Sequence, residues 1–137
     1  MPLFTPVGTV GTLAVSGNGT VTGTLGVTGA LTASGGATST GDITVNSGNV
    51  VVNTAGKGLR VKEGSNACMG TATLVAGAVT VSTTAVTANS RIFLSTQTEG
   101  GTPGFLGVSA RVAGTSFTVT GVATDTSVIA WMLVEPA

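Results

Sequence analysis

The chain has 137 residues, and its five basic and five acidic side chains give a formal net charge of zero at neutral pH. A chain without a basic excess has no electrostatic footprint for nucleic acid or an anionic membrane surface, so we expect neither as a partner. The chain has one cysteine and no histidine or tyrosine. This composition removes most metal sites and the Ser-His and Cys-His pairs of nucleophilic catalysis, so we expect no enzyme, no metal and no cofactor.

Residues 1–10 are predicted to form an anchoring segment. Phe4 is flanked by Pro2 and Pro6; proline lowers the entropy lost on ordering, and an aromatic ring supplies a large contact area. Leu3, Phe4 and Pro6 are therefore the candidate contacts with another protein. The segment lacks the basic start and apolar core of a signal peptide, which predicts synthesis in a cytoplasm.

Residues 11–56 are predicted to form a repetitive β-shaft. Glycine recurs at every sixth position from Gly11 to Gly41, and the unit reads Gly-x-Leu-x-Val-x. Alternation with period two places all the aliphatic side chains on one face of an extended chain. The predicted shaft axis comprises Leu13, Val15, Val21, Leu25, Val27, Leu31, Ile43 and Val45.

Such a row must be covered by copies of itself, and two arrangements achieve this. A hexapeptide solenoid of one chain uses roughly eighteen residues per coil and normally needs at least three repeats, which this segment does not supply. Three identical chains wound around a common axis complete every layer by symmetry. The repeat therefore favours an intertwined trimeric β-helical or β-spiral shaft over the monomeric solenoid.

Residues 57–137 are predicted to form a small antiparallel β-sandwich head, because most charged residues lie there and short apolar runs alternate with turn signals. Ala113-Gly114-Thr115 is predicted to be a hairpin turn that follows a strand with Val108, Ala110 and Val112 on one face. The predicted strands are 59–62, 70–75, 78–82, 91–96, 105–112, 116–120 and 126–134.

The last of these strands is apolar on both faces, with Ile129, Trp131 and Leu133 alternating with Ala130 and Met132. A strand covered on both sides in so small a head indicates core on one side and a neighbouring subunit on the other. The predicted head core and interface residues are Phe117, Ile129, Trp131, Met132 and Leu133.

Two further features of the head bear on function. The turn-rich segment 98–104 is a candidate receptor-contact loop with Glu99, Thr102 and Pro103, because binding functions concentrate on exposed loops. Cys68 is predicted to be a small buried hydrophobic residue, with a disulfide to another protein as the alternative.

Several segments of the head resemble the head module of bacteriophage fibre proteins. They are residues 57–74, Thr-Ala-Asn-Ser-Arg-Ile-Phe-Leu at 87–94, Ala-Gly-Thr-Ser-Phe at 113–117 and Asp-Thr-Ser-Val-Ile-Ala-Trp at 125–131. In such proteins this module commonly follows a Gly/Thr/Val-rich stalk. The resemblance implies a homotrimeric virion fibre or spike with a β-sandwich knob.

On this basis we expect a structural protein of the virion surface, made in the host cytoplasm, at either the capsid or the tail. Its expected partners are two further copies of itself, another virion protein at its N-terminus and a host surface receptor. The alternative from a different class is a monomeric β-solenoid that binds a surface or a ligand, and the native mass distinguishes the two.

Overall fold

The computed structural model describes residues 16–136. The chain divides into two units, Met1–Asn49 and Val50–Ala137. The predicted anchoring residues Leu3, Phe4 and Pro6, and the first two shaft residues, Leu13 and Val15, lie outside the described residues. The predicted domain limits at residues 10 and 56 stay predictions.

Within the first unit, residues 16–49 contain no helix or strand in the single chain, and all of them are exposed. The aliphatic side chains of the predicted shaft axis are between 46% and 77% exposed at Val21, Leu25, Val27, Leu31, Ile43 and Val45. Strands that pair only between chains are not expected to form in one chain. The three-chain shaft therefore stays a prediction.

The second unit is all-β in its described part, which confirms the predicted fold class of the head. Its six strands are β1 (Met69–Thr73), β2 (Ala78–Ser82), β3 (Arg91–Thr98), β4 (Gly107–Val112), β5 (Ser116–Thr120) and β6 (Val128–Val134). The predicted strand at 59–62 is wrong for the single chain. Leu59 is 83% exposed, and no neighbouring strand supplies hydrogen bonds to this segment.

The strands form two antiparallel three-stranded sheets. The first sheet has the order β1-β6-β3 and the second the order β2-β5-β4. The last strand in chain order is thus the centre of the first sheet, with Met69 and Phe93 on either side of Met132. No helix of the described part has the length and hydropathy needed to cross a membrane.

The core lies between the inner faces of the two sheets. Ile129, Trp131 and Leu133 of β6 face Phe117 and Val119 of β5, and all five are buried. The rings of Phe117 and Trp131 meet edge to face with centroids 5.3 Å apart and an interplanar angle of 72°, a favourable aromatic geometry. Leu74, Val81 and Val86 complete the buried cluster.

The hairpin at 113–115 is confirmed, but the predicted face of the strand before it is wrong. The Thr115 amide donates to the Val112 carbonyl oxygen at 3.0 Å, closing the turn. A β-bulge between Val108 and Ala110 shifts the register, so that Val108 pairs with buried Val119 while Ala110 and Val112 pair with the outward Thr118 and Ser116. An extra residue in one strand exchanges its two faces.

Candidate functional site

The outer face of the first sheet carries an apolar patch that no other part of the head covers. We use the term outer face for Met69 of β1, Phe93 of β3, and Ala130 and Met132 of β6, which line a shallow depression of about 160 Å³. Phe93 is 57% exposed, whereas Met69, Ala130 and Met132 are half-buried. A contiguous apolar patch that is exposed on a sheet face often marks a surface that binds another molecule.

Strand pairing brings these side chains together. Met132 lies opposite both Met69 and Phe93, so the three side chains form one row across the sheet. Alternation along β6 sends Met132 outward while Trp131 and Leu133 face the core. Of the residues predicted for core and interface, Phe117, Ile129, Trp131 and Leu133 thus lie inside, and Met132 lies on the outer face.

A second feature is a cluster of three loops at the end of the sandwich where β6 begins. The carboxylate of Asp125 accepts from the Ser127 amide at 2.9 Å and from the Gly104 amide at 3.2 Å, and the Asp125 carbonyl oxygen accepts from the Gly77 amide at 3.0 Å. Asp125 therefore ties the turn at 74–77 and the loop at 99–106 to the loop at 121–127.

The hydrogen bonds of this cluster fix the ionisation of Asp125. Hydrogen bonding from the Ser127 side chain, then from the Ser127 and Gly104 amides, holds the pKa of the Asp125 carboxyl below its usual value, although its burial acts in the opposite direction. Ser127 also accepts from the Gly100 amide at 3.1 Å. The Asp125 carboxylate thus holds the loops together through hydrogen bonds, and the groups that donate to it favour its ionised form.

The candidate receptor-contact loop is one of these three loops. Glu99, Thr102 and Pro103 are exposed, while the Thr102 amide donates to the Thr124 carbonyl oxygen at 3.1 Å. Phe105 follows in the same loop and is completely exposed. Sequence reasoning placed Phe105 in a strand, but it presents an aromatic ring to solvent beside the three predicted residues.

At the other end of β6, the carboxylate of Glu135 binds the segment before β3. Its Oε2 atom accepts from the Thr87 hydroxyl at 2.7 Å, and its Oε1 atom accepts from the buried Ser90 hydroxyl. The Ser90 and Thr87 hydroxyls and nearby Arg91 lower the pKa of Glu135, against the opposing effect of burial. Both ends of the central strand are therefore secured by carboxylates.

Only some of these residues could be recognised from the local sequence. Asp125-Thr126-Ser127 is the pattern of a side chain that accepts from the backbone two residues on, as the structure shows. Nothing local indicates that Glu135 reaches Ser90. Cys68 is exposed, so the expectation that it is buried is wrong, because this part of the chain precedes β1 and lies outside the core.

Within residues 16–136 no three histidine, cysteine, aspartate or glutamate side chains are grouped to hold a metal ion. The head has an apolar sheet face, a cluster of three hydrogen-bonded loops with an exposed aromatic ring, and two edge strands in each sheet. The head is thus a small all-β module of two antiparallel sheets.

The head matches the model of one known protein family. Residues 66–134, half of the chain, match the family described as the K1 capsule-specific polysaccharide lyase, C-terminal domain. The chain belongs to this family. The match covers all six strands.

The matched domain is associated with phage tail spikes, which is consistent with the resemblance to phage fibre proteins. Only the C-terminal domain of the lyase is matched, which is typically a non-catalytic part of such a protein. Neither the curated proteins nor the solved structures include a significant match.

Proposed function

We propose that the chain is a structural virion protein of a bacteriophage, a homotrimeric surface fibre or spike whose head is displayed for attachment to the host surface. The observation that carries this proposal is the uncovered apolar surface of both units. In the first unit it is the exposed aliphatic row from Val21 to Val45, and in the second unit it is the outer face.

Self-association accounts for both surfaces with one kind of partner. Each copy brings an aliphatic row and an outer face, and a rotation axis lets each of these surfaces be buried against its equivalents in the other copies. Apolar area removed from water stabilises by about 25 cal/mol per Å². The residues that line the depression on the outer face include no charged side chain, so no charge has to be desolvated at its centre.

The role proposed for the trimer is mechanical. The shaft gives length and stiffness, the head keeps the chains in register through β6, and the N-terminal segment with Leu3, Phe4 and Pro6 joins another virion protein. The loop cluster with Glu99, Thr102, Pro103 and Phe105 is the surface offered to a host receptor. The protein is made in the host cytoplasm and becomes part of the capsid surface or the tail.

The test measures native mass and dissociation in two matched variants of the full chain. Phe93 is 57% exposed on the outer face, and Val112 is 54% exposed on the second sheet. We expect three chains per particle for the wild type. Phe93→Glu should raise the concentration at which the trimer dissociates at least about tenfold, because each copy must then bury a carboxylate.

Val112→Glu is the control and should leave the native mass and the dissociation concentration as in the wild type. A wild-type chain that stays folded and single at all concentrations contradicts the proposal. Equal effects of Phe93→Glu and Val112→Glu contradict the assignment of the interface to the outer face.

A further inference from the structure

The second unit contains an alternating apolar segment that has no partner strand in the single chain. Along residues 59–62, Leu59 and Val61 alternate with Arg60 and Lys62. An extended chain therefore places the two aliphatic side chains on one face and the two basic ones on the other. Leu59 is 83% exposed and Val61 is 37% exposed. Among the described residues, no strand pairs with this segment, so it has the pattern of a strand but lacks a neighbour.

The segment joins the head at the edge of the first sheet. Glu63, which follows it directly, forms a parallel bridge with Met69, on the side of β1 that faces away from β6. Residues 63–65 also line a cleft together with Thr71 of β1 and Ser82 of β2. The free edges of β1 and β2 thus lie beside the chain's own residues 63–65.

The other two edges, those of β3 and β4, differ in regularity. A β-bulge between Val108 and Ala110 interrupts β4, and bulges make an edge less suitable for further pairing. In contrast, β3 pairs with β6 in unbroken register from Arg91 to Thr96. Every second residue of that stretch directs its backbone N–H and C=O groups away from β6. Of the four edges, that of β3 therefore offers the most regular row of unpaired hydrogen-bonding groups.

The side chains of β3 indicate which face of an added strand fits. Ile92 and Leu94 point inward and pack against the buried core, whereas Phe93 points outward and is 57% exposed. A strand beside β3 places a side chain next to Phe93 and so extends the apolar row of the outer face by one place. Pairs of aromatic and β-branched side chains on facing strands stabilise a sheet. The aliphatic face of the 59–62 segment supplies such side chains.

The charges of the segment also favour β3 over β4. From Ile92 to Thr98 the sequence has no charged residue, and Arg91 lies only at the first position of β3. At a sheet edge, the long side chains of Arg60 and Lys62 extend their charged ends into solvent past the apolar residues. On β4 the same basic residues would approach Arg111, and like charges on facing strands oppose pairing.

We propose that residues 59–62 of one copy add to the edge of β3 in a second copy, as a fourth strand of its first sheet, with Leu59 and Val61 on the side of the outer face. Each copy gives one segment and receives one, so the contact is head-to-tail and forms a ring when the rotation closes. Addition of an extended segment to an exposed edge is a common mode of recognition between proteins. The inference deepens the proposed self-association and rests on it.

Photo-crosslinking of the purified full-length protein identifies what lies beside the segment. Leu59 is replaced by the photoreactive residue p-benzoylphenylalanine, and the irradiated protein is separated by denaturing electrophoresis. We expect covalent dimers and trimers whose cross-linked peptide contains residues 91–98. Cross-links to residues 91–98 within one chain, cross-links between chains that map to β1, β4 or β6, or no cross-link at all overturn the proposal.

Val75 provides the control position for the cross-linking. It is 74% exposed and lies in the turn at 74–77, outside the segment and outside β3. The same photoreactive residue at position 75 should give no cross-link to residues 91–98 of another copy. Cross-links to residues 91–98 from both positions would show that the reaction is unspecific and overturn the assignment.

A matched pair of aspartate variants tests the same contact without a cross-linker. Leu59→Asp should raise the concentration at which the assembly dissociates at least about tenfold, because a carboxylate then lies beside Phe93 at the contact. Val75→Asp should change that concentration less than about twofold. The emission of Trp131, the single tryptophan of the chain, verifies that both variants remain folded. Equal effects of the two variants overturn the proposal.

Native mass measured on the same samples separates this proposal from the fibre. Three chains without cross-links to residues 91–98 leave the fibre and remove the added strand. Two chains that are cross-linked there retain the added strand and contradict the trimer. A wild-type chain that stays single at all concentrations contradicts both.

Discussion

Phe117 and Trp131 connect the two sheets of the head by an edge-to-face contact between their rings, whose centroids are 5.3 Å apart. Each ring comes from the central strand of its own sheet, β5 or β6. The contact thus joins the two strands that have neighbours on both sides. The stability of the sandwich should depend strongly on it.

Phe117 and Phe105 allow this dependence to be measured with the same substitution. Phe117 is 0% exposed and Phe105 is 100% exposed. Phe117→Ala should lower the free energy of unfolding by about 3–5 kcal/mol because it leaves a cavity beside Trp131. Phe105→Ala should change it by less than about 0.5 kcal/mol. Urea unfolding followed by tryptophan fluorescence at one fixed protein concentration tests both, and similar losses would contradict the burial of Phe117.

Gly77 should be intolerant of a side chain for two separate reasons. Its φ is +77°, and a Cβ atom would lie 2.1 Å from the Val122 carbonyl oxygen. Gly114 has a similar φ of +68° but no atom within 4 Å of such a Cβ. Gly114→Ala should therefore cost about 1–2 kcal/mol for the backbone conformation alone, whereas Gly77→Ala should cost about 2–5 kcal/mol.

The difference between the two alanine variants measures the contact between the turn at 74–77 and the loop at 121–127. Equal unfolding free energies for Gly77→Ala and Gly114→Ala would show that this contact relaxes without cost. Denaturant midpoints at equal slope are the appropriate measure, since a changed slope would report on the unfolded state as well.

The head should lose stability in acid through Asp125. The Ser127 side chain and the Ser127 and Gly104 amides lower the pKa of Asp125, so its ionised form favours the folded state. This contribution is fully present above the pKa of an unfolded aspartate and is lost as the pH falls through the lower pKa of the folded state. Asp125→Asn should destabilise the head at neutral pH and weaken the dependence of stability on pH below about 4.

Two further variants make the acid experiment specific. Hydroxyl groups of Ser90 and Thr87 also lower the pKa of Glu135, so Asp125→Asn should leave a residual acid dependence that the additional change Glu135→Gln removes. Asp42→Asn, at an exposed position of the first unit, should leave the acid transition of the head unaltered. An unchanged pH profile in Asp125→Asn would contradict the role given to the carboxylate.

Deletion of residues 1–6 should separate assembly from attachment. We expect the shortened chain to keep the native mass of the full chain, because the surfaces proposed for self-association lie elsewhere. It should be missing from purified particles, because the segment with Leu3, Phe4 and Pro6 is removed. The measurement is immunoblotting of particles formed with the shortened protein, and normal incorporation would refute the anchoring role.

The strand positions in the head could be predicted from the sequence wherever alternation and turn residues agree. The strands 78–82 and 116–120 were predicted to the residue because apolar and hydroxyl-bearing residues alternate in both, apart from Ala78. The segment 59–62 alternates equally well, but a strand also needs a partner, which local pattern does not reveal. The bulge after Val108 was missed because Ser109 differs in no way from an ordinary strand residue.

The sites were less accessible to sequence reasoning because they depend on pairing between distant segments. The indole ring of Trp131 packs on Gly70 only because the register of β1 and β6 places the two residues opposite each other. Phe93 and Met69 join the outer face only because both flank Met132. The alternation of β6 indicated that a second apolar face exists, but not which neighbours complete it.

The central position of β6 has a consequence for biosynthesis. Strands β1 and β3 precede it in the chain but hydrogen-bond to it and not to each other. While a ribosome is still translating residues 128–134, the first sheet has no middle strand and its two edge strands have no common partner. The first sheet can therefore close only after translation has passed Val134, and a polypeptide truncated within residues 128–134 should lack a complete middle strand.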